Sequence, residues 1–557
     1  MSGKQARIAL LFLACALGTV ALVACGGGGG GDSTSASDSE SFPHYADWPY
    51  FGRDRDNTRF ATEDEIDTSN VGELGEAWST GLGPDQFLNE AFPTVIGKTV
   101  YVTTSTDEVI ALDGVTGKTL WTYTPEVDFS QSTGVGGYGI SVNRGIAHEG
   151  GKLFLLTFDD KLQAISAKTG EKLWSTYVAD PKTGAYQSMA PTAYDGKVYV
   201  GVSGSEDGVR GFLSAYDQKT GKKIWQFYTV PKQGEGWVPK GGGGGTIYMP
   251  PTVDTRTGTI YAGTGNPAPV IVGDKRPGRN LYTDSILALD ADTGKLKWFH
   301  QEQAHDLWDY DAESPVVLFD VEINGEKKRA LAEAGKNGLL FLLDAETGKD
   351  LFPPVPFVKR AHTPPTTKGT LECPGPVGGS QYSPLAYSPE TEAVYVSGIN
   401  LCMVLKVTYE TNNGEKQFGG DRVVPTDQPK TGTFTAVTVN DGKVLWKRKM
   451  PTPMDGGATA SAGGLVFTGD QQGILYAFDA ATGKDLWQGN LKLAFGAAPV
   501  IYEVDGTEYV LATIGGAALT ASEELGPVGA RVVALKLGGK RLETGPALPE
   551  SSLLQSP

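Results

Sequence analysis

Cysteine, histidine and positive charge are all in short supply in this 557-residue chain. Only four cysteines occur, and none begins a Cys-x-x-Cys-His, so covalent haem of the c type is excluded. The five histidines are scattered without metal-ligand spacing, and His305 reads as a structural neighbour of the acidic pair that follows it. Lysine and arginine total 48 against 65 acidic residues, a formal charge of −17 with no basic stripe. That balance argues against nucleic acid and would suit a basic protein partner. Gly134–Gly139 (GVGGYG) sits in no βαβ unit, so it does not read as a dinucleotide fingerprint.

Residues 1–24 read as a leader rather than as part of the fold. Lys4 and Arg7 precede an apolar run over 8–24, which ends in Leu22-Val23-Ala24-Cys25. This ending resembles a bacterial lipoprotein processing site; the other reading is an uncleaved membrane anchor. The shortness of the run and its small-residue end favour lipidation of Cys25. Acyl chains there would hold the protein at a membrane at about 0.8 kcal/mol per buried CH₂. By resemblance to lipoprotein sorting rules, Gly26 points to an outer-membrane location facing the periplasm. Residues 25–45 then read as a flexible Gly/Ser tether. With Cys15 in the leader and Cys25 lipidated, Cys373 and Cys402 remain as the pair in the mature chain. In an oxidising compartment a disulfide is expected, at about 3–4 kcal/mol in the chain-entropy model. Metal ligation by two isolated cysteines is the poorer alternative.

What the chain has in abundance is glycine, 75 residues of it, and a repeated phrase. The phrase runs apolar, Asp, two variable residues, Thr-Gly-Lys, then Trp. Copies end at Trp121, Trp174, Trp225, Trp298, Phe352 and Trp487, with reduced copies at Trp78 and Trp446. Each reads as strand, tight turn, strand, and most follow two further short strands. Four strands per unit at spacings of 41–94 residues predict an all-β, eight-bladed propeller over 46–540. The recurring Trp is a packing residue between blades. The two longest spacings predict long loops. Strands within 488–538 should complete the blade begun near the N-terminus, and 541–557 reads as a tail.

The phrase AFDAATGKDLW resembles the tryptophan-docking motif of quinoprotein alcohol dehydrogenases, which carry pyrroloquinoline quinone (PQQ) on an eight-bladed propeller. The resemblance runs from DWPYFGRDRDNTRF to GGLVFTGDQQGILYAFDAATGKDLW, nearly the whole mature chain. It implies a cation beside PQQ, held by Glu206 (in SGSEDGVRG), Asn266 (in GTGNPAP) and Asp309 (in HDLWDYD), with Asp309 also the catalytic base. Hard oxygen ligands on separate loops suit a Ca²⁺-like ion. Asp311, two residues on, matches an added ligand in the lanthanide-using branch, so the cation is Ca²⁺ or a lanthanide. For PQQ the resemblance implies Arg144 and Lys336 as cationic partners. Thr157, Ser203 and Thr246 are the implied hydroxyl partners, and Tyr248 the floor on which the quinone stacks.

Two departures are evident. Tyr138-Gly139 stands where many members have adjacent cysteines, and Tyr248 stands where many have Trp. Cys373 and Cys402 match a second disulfide common in the family.

The reading is therefore a periplasm-facing, membrane-anchored PQQ dehydrogenase that oxidises an alcohol. The cation serves as Lewis acid, Asp309 as base, and electrons pass to a separate acceptor such as a c-type cytochrome. The rivals are a non-catalytic propeller lipoprotein acting in outer-membrane protein assembly or binding, and a PQQ dehydrogenase for sugars or polyols.

Overall fold

The repeated phrase folds as the turn between the third and fourth strands of each blade. At the fourth blade, Asp290 Oδ1 accepts from Thr293 N (2.9 Å) and Thr293 Oγ1 (2.7 Å). Gly294 follows in the left-handed region at φ 68°, where a side chain would be strained. Space forbids one as well, since a Cβ on Gly294 would lie 2.5 Å from the Trp225 ring of the preceding blade. The same contact pairs Gly117 with Trp78, Gly170 with Trp121, Gly221 with Trp174, Gly348 with Trp298, Gly442 with Phe352 and Gly483 with Trp446. The docking is polar as well as apolar. Trp225 Nε1 donates to the Ala291 carbonyl at 3.1 Å, and the Tyr199 hydroxyl donates to the same oxygen at 3.1 Å. Trp298 with Tyr261 on Ala345, and Trp446 with Tyr395 on Ala480, repeat the arrangement.

The computed structural model describes residues 47–555 apart from 84–88, 131–140, 413–414, 424, 426 and 517–528. The leader, the tether, Cys25, Tyr138 and Gly139 lie outside the described residues. Eight antiparallel blades succeed one another along the chain: 94–123, 147–177, 192–228, 252–301, 317–356, 386–450, 458–490, and 500–537 joined by Leu74–Gly83. The described residues contain no α-helix, only short 3₁₀ turns. Middle strands are buried on both faces, which is why they read as unbroken apolar runs. In Ser285–Asp290, Leu287 and Leu289 pack toward the third blade, while Ile286 and Ala288 pack toward the fifth. Alternate side chains thus serve alternate interfaces.

The ring closes where the sequence places it. Leu74–Gly83 pairs antiparallel with Ala530–Leu537 as the outer strand of the eighth blade. Those two strands come from opposite ends of the chain, so no Thr-Gly turn joins them and Trp487 has none to dock on. Of residues 541–557, read as a tail, Leu553–Gln555 is held on the sheet. Leu553–Gln555 adds a fifth strand to the outer edge of the sixth blade, beside Val444–Met450, and Arg448 donates to Ser552 Oγ at 3.0 Å. The edge's unpaired backbone groups supply the reason.

Residues 48–63 link the inner strands of several blades. Arg59, fully buried, donates to the Phe51, Ala458 and Pro499 carbonyls. Arg53 pairs with Glu63 at 2.7 Å, Asn57 donates to Val316, and Tyr387 N donates to the Thr58 carbonyl.

Glu508 of the eighth blade accepts from Ile66 N at 2.9 Å. Burial pushes its carboxyl up to about 8, against the Ile66 hydrogen bond, with Glu63, Glu65 and Asp64 adding to the rise. The folded protein therefore keeps this proton where the unfolded chain releases it. The resulting stability is complete below pH 4.5 and is lost as pH rises through 8, on the order of a few kcal/mol. Denaturant titrations of Glu508→Gln are expected to match the parent at pH 4 and to exceed it above pH 8. Parallel curves across that range would refute the assignment.

Candidate functional site

The same offset recurs ahead of the inner strands. Glu90, Arg144, Ser188, Tyr248, Glu313 and Tyr382 each lie three or four residues before the first strand of their blade. All are buried apart from Tyr248, which is partly so. The propeller brings this position from successive blades to one end of the ring axis, and the loops that follow the second strands add Ser203, Asn266 and Lys336.

Three of the sequence-predicted residues meet Asp311 directly, and Asp309 joins them through Lys336. Lys336 Nζ lies 2.5 Å from Asp311 Oδ2 and 3.7 Å from Asp309 Oδ1. The Tyr248 hydroxyl donates to Asp311 Oδ2 at 2.7 Å, and Asn266 N donates to Asp311 Oδ1 at 2.6 Å. Burial pulls the Lys336 ammonium down, but Asp309 and Asp311 outweigh it and hold it above its ordinary value. Burial raises Asp311, with Lys336 opposing, and raises Glu313 further, with Asp311 adding to the effect.

Asp309 stands in the left-handed region at φ 72°. The carboxylate of Asp306 holds it there, accepting from the backbone N–H groups of Trp308, Asp309 and Tyr310 at 3.0–3.2 Å. Arg276 ties this loop to that of Asn266, donating to the Asp306 carbonyl and to the Pro269 and Val270 carbonyls. Trp308 and Tyr310 flank Asp309. Trp308 donates to the Thr363 carbonyl (2.8 Å) and Tyr310 to that of Pro374 (2.7 Å). Pro374 follows Cys373, which is disulfide-bonded to Cys402, so the expected pairing forms and braces this wall.

The cationic end is built on Arg144. Its guanidinium pairs with Glu90 at 2.6 Å, donates to Ser188 Oγ at 2.9 Å, and lies 5.3 Å from the Tyr248 ring centre. Ser188 Oγ meets Ser203 Oγ at 2.8 Å. Thr246 meets Ser205, the neighbour of Glu206, at 2.7 Å. Glu206 itself is exposed on the Ser205–Asp207 turn, near enough for its charge to raise Lys336 and Tyr186. Thr157 is the outlier. Its hydroxyl donates to Asp159 at 2.7 Å within its own blade, while its neighbour Phe158 packs on Tyr186.

Sequence reasoning missed Glu90, Ser188, Tyr382, Asp306 and Arg276. Their shared signal is position: the first three stand at the recurring offset, and the other two in the loops that carry Asn266 and Asp309.

The donor set fits an anionic, cation-assisted cofactor. Arg144 Nε is buried without a hydrogen-bond partner among the described residues, poised for an anionic oxygen. Asp309, Asp311, Asn266 and Glu206 supply hard oxygen donors. Among the described residues no three His, Cys, Asp or Glu side chains converge on one point. One donor is an amide, and the Lys336 ammonium stands between the two aspartates.

A family model described as the β-propeller domain of PQQ glucose/ethanol/alcohol dehydrogenases matches residues 48–356 and 357–510. The chain is 35% identical over 533 residues to the quinohemoprotein alcohol dehydrogenase of Comamonas testosteroni, covering 86% of this chain and 75% of that protein. Among solved structures, quinohemoprotein alcohol dehydrogenase ADHIIG of Pseudomonas putida superposes with a TM-score of 0.82 at 29% identity, over 91% of this chain and 82% of that one. A europium-containing methanol dehydrogenase superposes at 0.76 and 28% identity, over 88% and 98%.

Proposed function

We propose a division of labour for a chain that belongs to the family of PQQ-dependent alcohol dehydrogenases. The enzyme oxidises an alcohol to an aldehyde or ketone and passes the electrons to a separate acceptor such as a c-type cytochrome. PQQ, bound with Ca²⁺ or a lanthanide ion, supplies the two-electron acceptor and the Lewis acid. The chain's own residues do the rest. Asp309 takes the substrate hydroxyl proton on its carboxylate, with the Lys336 ammonium 3.7 Å from its Oδ1. Arg144 holds an anionic oxygen through its buried Nε, and Ser203 and Thr246 line the wall through Ser188 and Ser205. Tyr248 forms the floor between Arg144 and Asp311. Trp308 and Tyr310 keep water from the base. Glu206, Asn266 and Asp309 hold the cation. Asp311 adds a further ligand through Oδ1, which keeps a lone pair beyond the one taken by Asn266 N.

The observation that carries this reading is the convergence of Asp309, Asp311, Asn266, Tyr248 and Lys336 in one buried cluster. Members of the family are periplasmic enzymes. We further propose that lipidated Cys25 anchors this one, through the 25–45 tether, to the outer membrane.

The purified apo-protein, given PQQ with Ca²⁺ or La³⁺, is expected to reduce a dye at the expense of alcohols. No PQQ absorbance and no turnover under any combination would sink the reading. Asp309→Asn should keep PQQ, since the amide oxygen remains a ligand, yet lose turnover by about 10²–10⁴-fold; full activity would remove Asp309 from the role of base. Asp311→Ala should reduce activity with La³⁺ more than with Ca²⁺, and equal losses would deny it a lanthanide-specific role. On cell fractionation Cys25→Ala should move the protein from membranes to the soluble fraction, whereas retention at the membrane rules out the lipid anchor.

A further inference from the structure

The glycine run at 241–245 does more than turn the chain. Gly243–Gly244 pairs with Pro267–Ala268 on one side, and Gly244 bridges Arg210 on the other. Gly244 N donates to the Val209 carbonyl at 2.8 Å and Gly211 N to that of Gly244 at 3.0 Å. Toward the other neighbour, Gly245 N donates to the Asn266 carbonyl and Gly265 N to that of Thr246, both at 2.9 Å. Ile247 exchanges two bonds with Val202. Residues 243–247 are therefore a layer one backbone thick between the segment carrying Glu206 and the segment carrying Asn266.

The layer is too tight for side chains. A Cβ on Gly243 would lie 2.2 Å from the Gly208 carbonyl oxygen and 2.5 Å from that of Val209. One on Gly244 would lie 2.3 Å from the Asn266 oxygen, and one on Gly211 2.0 Å from the Gly245 oxygen. Thr246 is the first residue of the run with a side chain, and its hydroxyl goes to Ser205, beside Glu206.

We infer that this glycine layer sets the separation of the Glu206 and Asn266 loops and thereby the radius of cation the site accepts. The inference rests on the reading of those two residues as cation ligands. Ca–O and Mg–O distances differ by only about 0.2–0.6 Å, so relieving an approach of 2.2 Å between a Gly243 Cβ and the Gly208 oxygen moves the Glu206 loop on at least the scale that separates one cation from another.

The test compares La³⁺ with the smaller Lu³⁺, equal in charge, by calorimetry on the PQQ-loaded full-length protein. Gly243 has no left-handed φ, so Gly243→Ala isolates the close approach. Gly241 stands at φ 80°, and a Cβ there would meet nothing within 4 Å, so Gly241→Ala gives the backbone strain without the approach. Gly243→Ala should weaken cation binding by about 10–100-fold, Lu³⁺ more than La³⁺, while Gly241→Ala keeps the parent's ratio. Equal losses for the two ions, or the same shift in Gly241→Ala, overturn the spacing role. If Gly243→Ala does not fold, hydrogen exchange in the parent decides. La³⁺ should slow the Gly244 and Gly245 amides about tenfold more than those of Gly294 and Gly348, and unchanged exchange overturns the inference. Absence of any cation binding to the parent removes the ligand reading and the inference with it. Intact binding with an unshifted ratio removes the inference alone.

Discussion

Everything in this molecule depends on one contact, an aromatic ring lying on a glycine. In seven of the eight junctions the ring of one blade covers the turn glycine of the next. In most of them an indole N–H is satisfied by the carbonyl two residues into the same turn. The contact is both a distance and an angle. It fixes how far one sheet stands from the next, and repetition around a circle closes the ring. An isolated blade would leave both apolar faces in water, so the blades stabilise one another or not at all. The eighth junction lacks the turn because its hairpin is split between the chain ends, and there the pairing of Leu74–Gly83 with Ala530–Leu537 supplies the closure.

A rigid ring makes it possible to hold charges that would otherwise repel. Glu90, Asp309, Asp311 and Glu313 are all buried within a short span, against the two cations Arg144 and Lys336. Burying a charge without compensation is expensive, and the site answers in two ways. Asp311 and Glu313 are pushed upward by burial, and Asp309 and Asp311 share the Lys336 ammonium. Such an excess of acidic oxygen suits a cation arriving from outside, while the unpartnered Nε of Arg144 suits an anion at the other end. A site polarised in this way fits a cofactor with carboxylates at one end and a metal at the other.

The sequence was legible where function demanded repetition and opaque where it demanded position. The Asp-x-x-Thr-Gly turn and its Trp must be chemically alike in every blade, so eight blades could be counted from the text. The cluster residues Asp309, Asp311, Asn266, Tyr248 and Lys336 were reached through resemblance to a family, and the fold does gather them. Glu90, Ser188 and Tyr382 escaped because they share only an offset from the inner strand, with chemistry that differs at each blade. No pattern of residue types can reveal them, but the offset could have, once the blades were counted. Arg276 and Asp306 escaped for another reason: the partners by which they join the two loops are backbone carbonyls and amides, which sequence does not display. The C-terminal strand was invisible because three residues carry too little periodicity to distinguish a strand from a tail.

The residue proposed as the base sits against its local backbone preference. Asp309 adopts a left-handed conformation that a non-glycine residue holds at a cost of about 1–3 kcal/mol. The offset comes from Asp306, whose carboxylate collects three successive N–H groups, and from Arg276, which fastens Asp306 to the Asn266 loop. Strain at one residue is thus carried by bonds to the backbone of two loops, and those loops bring Asp309 and Asn266 together. A relaxed Asp309 would free the loop and lose its aim at Lys336, so the unfavourable φ and the placement of Asp309 are one property of the site.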